Sequence, residues 1–88
     1  MTAVLQPLAT LRAGQKATIA DIRLAPPDRG RLQELGLVAG TPVEVLRFAL
    51  LDDPVEIKVR GYNLTLRKHE AEQILVRVTG GNKVTSDR

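Results

Sequence analysis

Val55-Glu56-Ile57-Lys58-Val59-Arg60-Gly61-Tyr62-Asn63-Leu64-Thr65-Leu66-Arg67 alternates apolar and polar residues on both sides of a single glycine. Its first half places Val55, Ile57 and Val59 on one face and Glu56, Lys58 and Arg60 on the other. That is the period of a half-buried strand. Gly61-Tyr62-Asn63 predicts a hairpin turn, and Leu64-Thr65-Leu66-Arg67 alternates again. A hairpin with one apolar face needs a cover, and the flanking sequence offers more strands rather than long helices.

Upstream, Gly40-Thr41-Pro42 turns the chain into a strand from Val43 to Phe48. A loop from Ala49 to Pro54 follows, ending in the turn-forming Asp52-Asp53-Pro54. Earlier still, Ala17, Ile19, Ile22 and Leu24 alternate with one slip at Ala20-Asp21, which predicts a β-bulge. Pro26-Pro27 stops that strand, and Asp28 is placed to cap a short helix running to Leu35. Gly36 then falls at the C′ position, with Leu32 and Leu37 spaced as the apolar pair of a Schellman cap. Residues 1–15 give an irregular lead in which Leu5, Leu8 and Leu11 could press one helical turn onto the core, with Gly14 breaking the chain.

Downstream, Lys68 to Gln73 predicts one helical turn with Glu70 and Glu72 near its positive end. Ile74, Val76 and Val78 point a last strand inward, and Thr79-Gly80-Gly81 ends the fold. About five short strands with one or two short helices cannot bury an open sheet's face in so few residues. Closing the sheet on itself solves both the core and the edge problem. The expected fold is mainly β, a small SH3-like β-barrel over residues 1–79, with 80–88 a flexible C-terminal tail. An OB-fold barrel comes second.

The 88 residues allow one domain, and 43% hydrophobic with 26% charged residues is a globular composition. With no cysteine, disulfides, thiolate metal sites and thiol nucleophiles are excluded. The N-terminus has neither a basic leader nor a continuous apolar core, so no signal peptide is expected. The longest apolar run, Phe48-Ala49-Leu50-Leu51, is far short of a membrane span, and cytoplasmic placement is the default. The net charge of +3 is small, and acidic residues are scattered among the basic ones.

Catalytic chemistry is hard to assemble. The single histidine, His69, sits beside Lys68 and Glu70, where a solvated residue at a helix start is the ordinary reading. As a metal ligand it could recruit Glu70, Glu72 or a distant carboxylate, with Asp52 and Asp53 as further weak candidates, giving a weak divalent site of no established spacing. Asp52-Asp53 before a proline is ordinary turn chemistry. Base stacking or proline-rich peptide recognition needs aromatic surfaces, and Phe48 and Tyr62 are the only aromatics. Arg60, Arg67 and Lys68 could form a basic patch, although without stacking residues a solvated outer strand face is the favoured account. The run Phe48-Ala49-Leu50-Leu51 resists a bland account, being either an exposed contact site or a lid over the barrel's end.

Taken together, these residues resemble the FeoA family, the small cytosolic accessory proteins of bacterial ferrous iron uptake. The resemblance is carried by Arg31-Leu32-Gln33-Glu34-Leu35-Gly36-Leu37, Gly40, Asp53-Pro54-Val55-Glu56-Ile57 with Val59-Arg60-Gly61, and Leu64-Thr65-Leu66-Arg67-Lys68-His69-Glu70-Ala71 with Ile74 and Val76. It implies an SH3-like barrel, without catalysis or resident cofactor, that binds or regulates a membrane permease with a cytoplasmic GTP-binding domain, a FeoB-like partner that could recruit it to the membrane's inner face. The barrel is also similar to the C-terminal domain of iron-dependent repressors. Their DNA-binding part has no counterpart here, so DNA is not an expected partner. Two departures stand out: Leu50-Leu51-Asp52 makes the loop greasier than the family's proline, leucine, glycine, and His69 replaces a small helix-capping residue.

The expected docking face joins the Phe48–Leu51 loop (Phe48, Leu50 and Leu51) to the Arg60–Tyr62 turn (Arg60 and Tyr62). The helix carrying Arg29 and Arg31 is a second candidate face. Self-association is open to the same apolar loop. A metal-sensing module and an RNA-binding barrel are the alternatives.

Overall fold

Val55, Ile57 and Val59 are wholly buried in the computed structural model, which describes residues 5–49 and 53–80, and the alternating hairpin is present as expected. In chain order the elements are β1 (Leu5–Pro7), a 3-10 turn (Leu8–Thr10), β2 (Lys16–Ile22), α1 (Pro26–Glu34), β3 (Pro42–Phe48), β4 (Val55–Val59), β5 (Tyr62–Leu66), α2 (Lys68–Glu72) and β6 (Ile74–Gly80). The strands form one six-stranded sheet in the order β1-β6-β2-β3-β4-β5, with every pairing antiparallel. Bending at three register shifts wraps this sheet around its own apolar face. One lies between Ile19 and Asp21, at the predicted slip, and the others between Lys16 and Ala17 and between Val45 and Arg47.

The core is built from the inward faces of the strands with Leu8, Leu11, Leu32 and Leu37 closing it. Leu32 and Leu37 reach it because α1 ends as the sequence predicts. The Leu37 N–H donates to the Leu32 carbonyl at 3.0 Å and the Gly36 N–H to that of Gln33 at 3.0 Å, with Gly36 at φ +98°. Only glycine takes that left-handed position without a steric cost.

Three local expectations are corrected. Leu5 does not join a helical turn on the core: Leu5–Pro7 pairs with β6, leaving Leu5 exposed while Leu8 and Leu11 are buried. The helix does not wait for Asp28. Ala25 is its cap residue and Pro26-Pro27 fill its first positions, where a missing N–H costs nothing. The hairpin turn is Arg60-Gly61, at φ 50° and 89°, and pairing resumes at once with Val59 opposite Tyr62. Two consecutive positive φ angles make the turn that best matches strand twist. The strand β6 includes Gly80, where a tail was expected to begin, and 81–88 lie outside the described residues. No helix among the described residues is long and apolar enough to cross a membrane.

Candidate functional site

The β4–β5 hairpin carries one candidate region at each of its ends. Phe48 lies opposite Val55 at the start of β4, whereas Arg60 to Tyr62 follow Val59 at its far end. Four strand steps separate them, roughly 13 Å at 3.3 Å per residue. The loop and the turn expected to form one face therefore lie at opposite ends of the β4–β5 hairpin, because the connections before and after a strand sit at its two ends.

At the Arg60–Tyr62 end, the side chains hold the C-terminus of α1. The Tyr62 hydroxyl donates to the carbonyl of Leu35. The Arg60 guanidinium lies 3.5 Å from the Thr41 hydroxyl, which in turn donates to the Gly36 carbonyl at 3.1 Å. Thr41 is buried, and its hydroxyl satisfies a carbonyl that the helix leaves without a partner. These residues therefore have internal work, which the sequence reading did not assign to them.

At the opposite end, the Ala49 N–H donates to the Pro54 carbonyl at 2.9 Å and closes the loop's base. Phe48 is half-buried and packs against the core. Leu50, Leu51 and Asp52 lie outside the described residues. A surface depression of about 340 Å³ is lined by Asp53, Pro54, Thr65 and Arg67. It shares Pro54 and Thr65 with a second, of about 540 Å³, which also touches Arg47, Phe48, Ala49 and Glu56. Phe48, Ala49 and Pro54 give these depressions an apolar part among guanidinium, carboxylate and hydroxyl groups, and the lining residues supply no nucleophile with a base beside it. Thr65 was missed by the sequence reading. The signal was present in the pairing, since Thr65 lies opposite Glu56, which lies opposite Arg47.

The remaining candidates are dispersed. Arg29 is exposed on α1. Arg31 forms an ion pair with Glu70 that ties α1 to α2. Both Glu70 oxygens are engaged, one by Arg31 and the other by the Arg67 N–H at 2.9 Å, and the residue is buried. Asp53 accepts from the Lys68 N–H at 3.0 Å and so caps α2 from the loop. His69 is exposed at the second position of α2, not at its cap, so the weaker cap expected from it does not arise. Among the described residues no group of three or more histidine, aspartate or glutamate side chains could surround a metal ion.

The chain matches the FeoA domain model over residues 6–78. It is 42% identical to the FeoA protein of Chlorobium tepidum, whose solution structure superposes with a TM-score of 0.82 over 90% of this chain and 75% of that one. The FeoA of Stenotrophomonas maltophilia, a procaryotic SH3 domain protein solved in complex with zinc, is 27% identical with a TM-score of 0.68, covering 81% of this chain and 88% of that one. A Porphyromonas gingivalis fusion of Fe(2+) transport protein A with the Fe(2+) transporter FeoB is 33% identical over 79 residues, which are 90% of this chain and 9% of the fusion. The fold and the run of the match agree: the chain belongs to the FeoA family of non-catalytic, SH3-like accessory domains.

Proposed function

We propose that this domain serves ferrous iron transport from the cytoplasmic side, by docking onto the GTP-binding part of a ferrous iron permease. The observation that carries this reading is the Porphyromonas gingivalis fusion, in which a related domain and the FeoB transporter share one polypeptide. Two parts joined in one chain work at high effective concentration, and separate chains doing the same work need a surface that replaces the linker.

The surface best suited to that role is the Phe48 end of the sheet. Its two depressions adjoin an apolar loop, whereas at the other end, which has a smaller depression of about 280 Å³ touching Arg60 and Gly61, Tyr62 is bonded to the end of α1 and Arg60 lies against the Thr41 hydroxyl. A metal-binding reading draws support only from the zinc complex of the Stenotrophomonas relative. Here Glu70 and Asp53 already accept hydrogen bonds from their own chain, which leaves His69 with Glu72 of the same helix, too few ligands for a firm site among the described residues.

The test is an amide NMR titration of the labelled protein with the permease's soluble GTP-binding domain. Shifts at Phe48, Ala49 and Thr65 support docking at this end. Shifts confined to Arg60–Tyr62 and α1 would move the surface to the other end, and none at high concentration would sink direct docking.

A further inference from the structure

We propose that docking is seated on the free edge of β5, which takes an extended acidic segment of the partner as a seventh strand. This rests on the docking reading above and specifies its chemistry.

Strand β5 ends the sheet and pairs only with β4. Around the two-residue turn, Tyr62, Leu64 and Leu66 face Val59, Ile57 and Val55 and exchange the ladder hydrogen bonds. With Val59 and Tyr62 flanking the turn, the intervening Asn63 and Thr65 direct both N–H and C=O away from β4, the only strand that β5 pairs with among the described residues, and neither takes part in a turn, loop or cap bond there. Both residues are exposed, and Thr65 lines both depressions at the Phe48 end.

Edges of this kind are usually blunted by lysine, proline or a bulge. The strand Tyr62–Leu66 has neither residue, and its register with β4 runs without a shift. The opposite edge, β1, is three residues long and ends in Pro7. An unblunted edge beside a groove is the arrangement that strand addition uses, with main-chain bonds for affinity and side pockets for selection.

Charge identifies the occupant. Of the described acids near this edge, Glu56 is paired with Arg47 at 2.8 Å and Glu70 with Arg31, whereas Asp53, bonded to the Lys68 N–H, and Glu44, opposite Lys58, keep their charge. Lys58, opposite Asn63, and Arg67 and Lys68, directly after the strand, make no ion pair among the described residues. Among the described residues Lys58, Arg67 and Lys68 outnumber the carboxylates of Asp53 and Glu44, and the small positive surplus draws an acidic segment and opposes a second copy of the same edge.

The experiment follows the full-length labelled chain by amide exchange, with and without the soluble GTP-binding domain of the permease. Asn63 and Thr65 amides should gain at least about tenfold protection in the complex, and added salt should weaken binding. Thr65→Pro, which deletes an outward donor, should keep its melting temperature and bind about tenfold more weakly or worse. Binding with both amides unprotected, or undiminished by Thr65→Pro, overturns the edge and leaves docking standing. Absence of any binding removes both readings. Protection that grows with the chain's own concentration assigns the edge to a second copy and overturns the acidic partner. Should Thr65→Pro fail to fold, the two wild-type amides decide.

Discussion

The Tyr62 hydroxyl donates to the carbonyl of Leu35, bridging the hairpin tip and the last turn of α1 across 27 positions of sequence. Leu35 is the C-cap residue, and its carbonyl belongs to the group that a helix cannot satisfy internally. A strand residue thus finishes a helix. The contact also sets the spacing between α1 and the sheet, because Gly36 sits beneath it. A Cβ there would lie 3.4 Å from the Tyr62 oxygen and 3.5 Å from Arg60 Cδ.

Tyr62→Phe keeps the ring and removes only the donor. Since Tyr62 is 41% exposed, water can partly replace the bond, and the expected loss is about 0.5–1 kcal/mol. Urea denaturation measures it, and the Gly36 amide should shift while β6 amides do not. An unchanged midpoint would mean that the bond contributes nothing net.

Gly36→Ala and Gly30→Ala should act in opposite directions. At Gly36 the left-handed φ of +98° penalises any Cβ, by about 1–2 kcal/mol. At Gly30, inside α1, an added Cβ meets nothing within 4 Å, so alanine should stabilise by up to about 1 kcal/mol. Melting curves of the two variants check the pair. Equal signs would show that the helix end is not held in this conformation.

What the sequence revealed was local or periodic. Ile57 and Leu66 announce their burial by alternation, Leu32 and Leu37 by their spacing around Gly36, and the bulge by the slip at Ala20-Asp21. The missed features depend on distant partners or on residues with two meanings. Leu5–Pro7 is too short to show a period, and its partner Leu75–Arg77 lies at the other end of the chain. Pro26 ends a strand and opens a helix with equal chemical right. Arg60 at φ 50° takes a position that asparagine or glycine usually signals. The candidate residues Phe48, Arg60 and Tyr62 were legible as types but not in their placement, because which loops lie at the same end of the sheet follows from strand pairing.

Glu70 and Arg31 should be coupled. Glu70→Ala leaves the Arg67 N–H without its acceptor and Arg31 without its carboxylate, an expected cost of about 1–3 kcal/mol. Arg31→Ala alone should cost less, because its side chain is half exposed. In the Arg31→Ala background the Glu70→Ala loss should shrink, and a double-mutant cycle reads the difference. Strictly additive losses would show that the pair is incidental.

Core and loop substitutions should separate folding from docking. Ile57→Ala removes fully buried volume and should cost about 2–5 kcal/mol, enough to threaten so small a domain. Leu50→Asp, outside the described residues, should abolish permease binding with a melting temperature near wild type. Binding that survives in a folded Leu50→Asp variant would move docking away from that loop.

Asp53 gives the loop a task independent of any partner. Its carboxylate oxygen accepts from the first N–H of α2, 15 positions away, as a helix cap would. Asp53→Ala should therefore cost about 0.5–2 kcal/mol and speed exchange of the Lys68 amide, whereas Asp53→Asn, which keeps a side-chain acceptor, should stay close to wild type. If the carboxylate instead served mainly to bind a cation, Asn and Ala would be equally damaging to metal affinity and neither would alter Lys68 exchange. The two variants at one position thus discriminate a structural anchor from a ligand, and the hydrogen bond to Lys68 predicts the anchor.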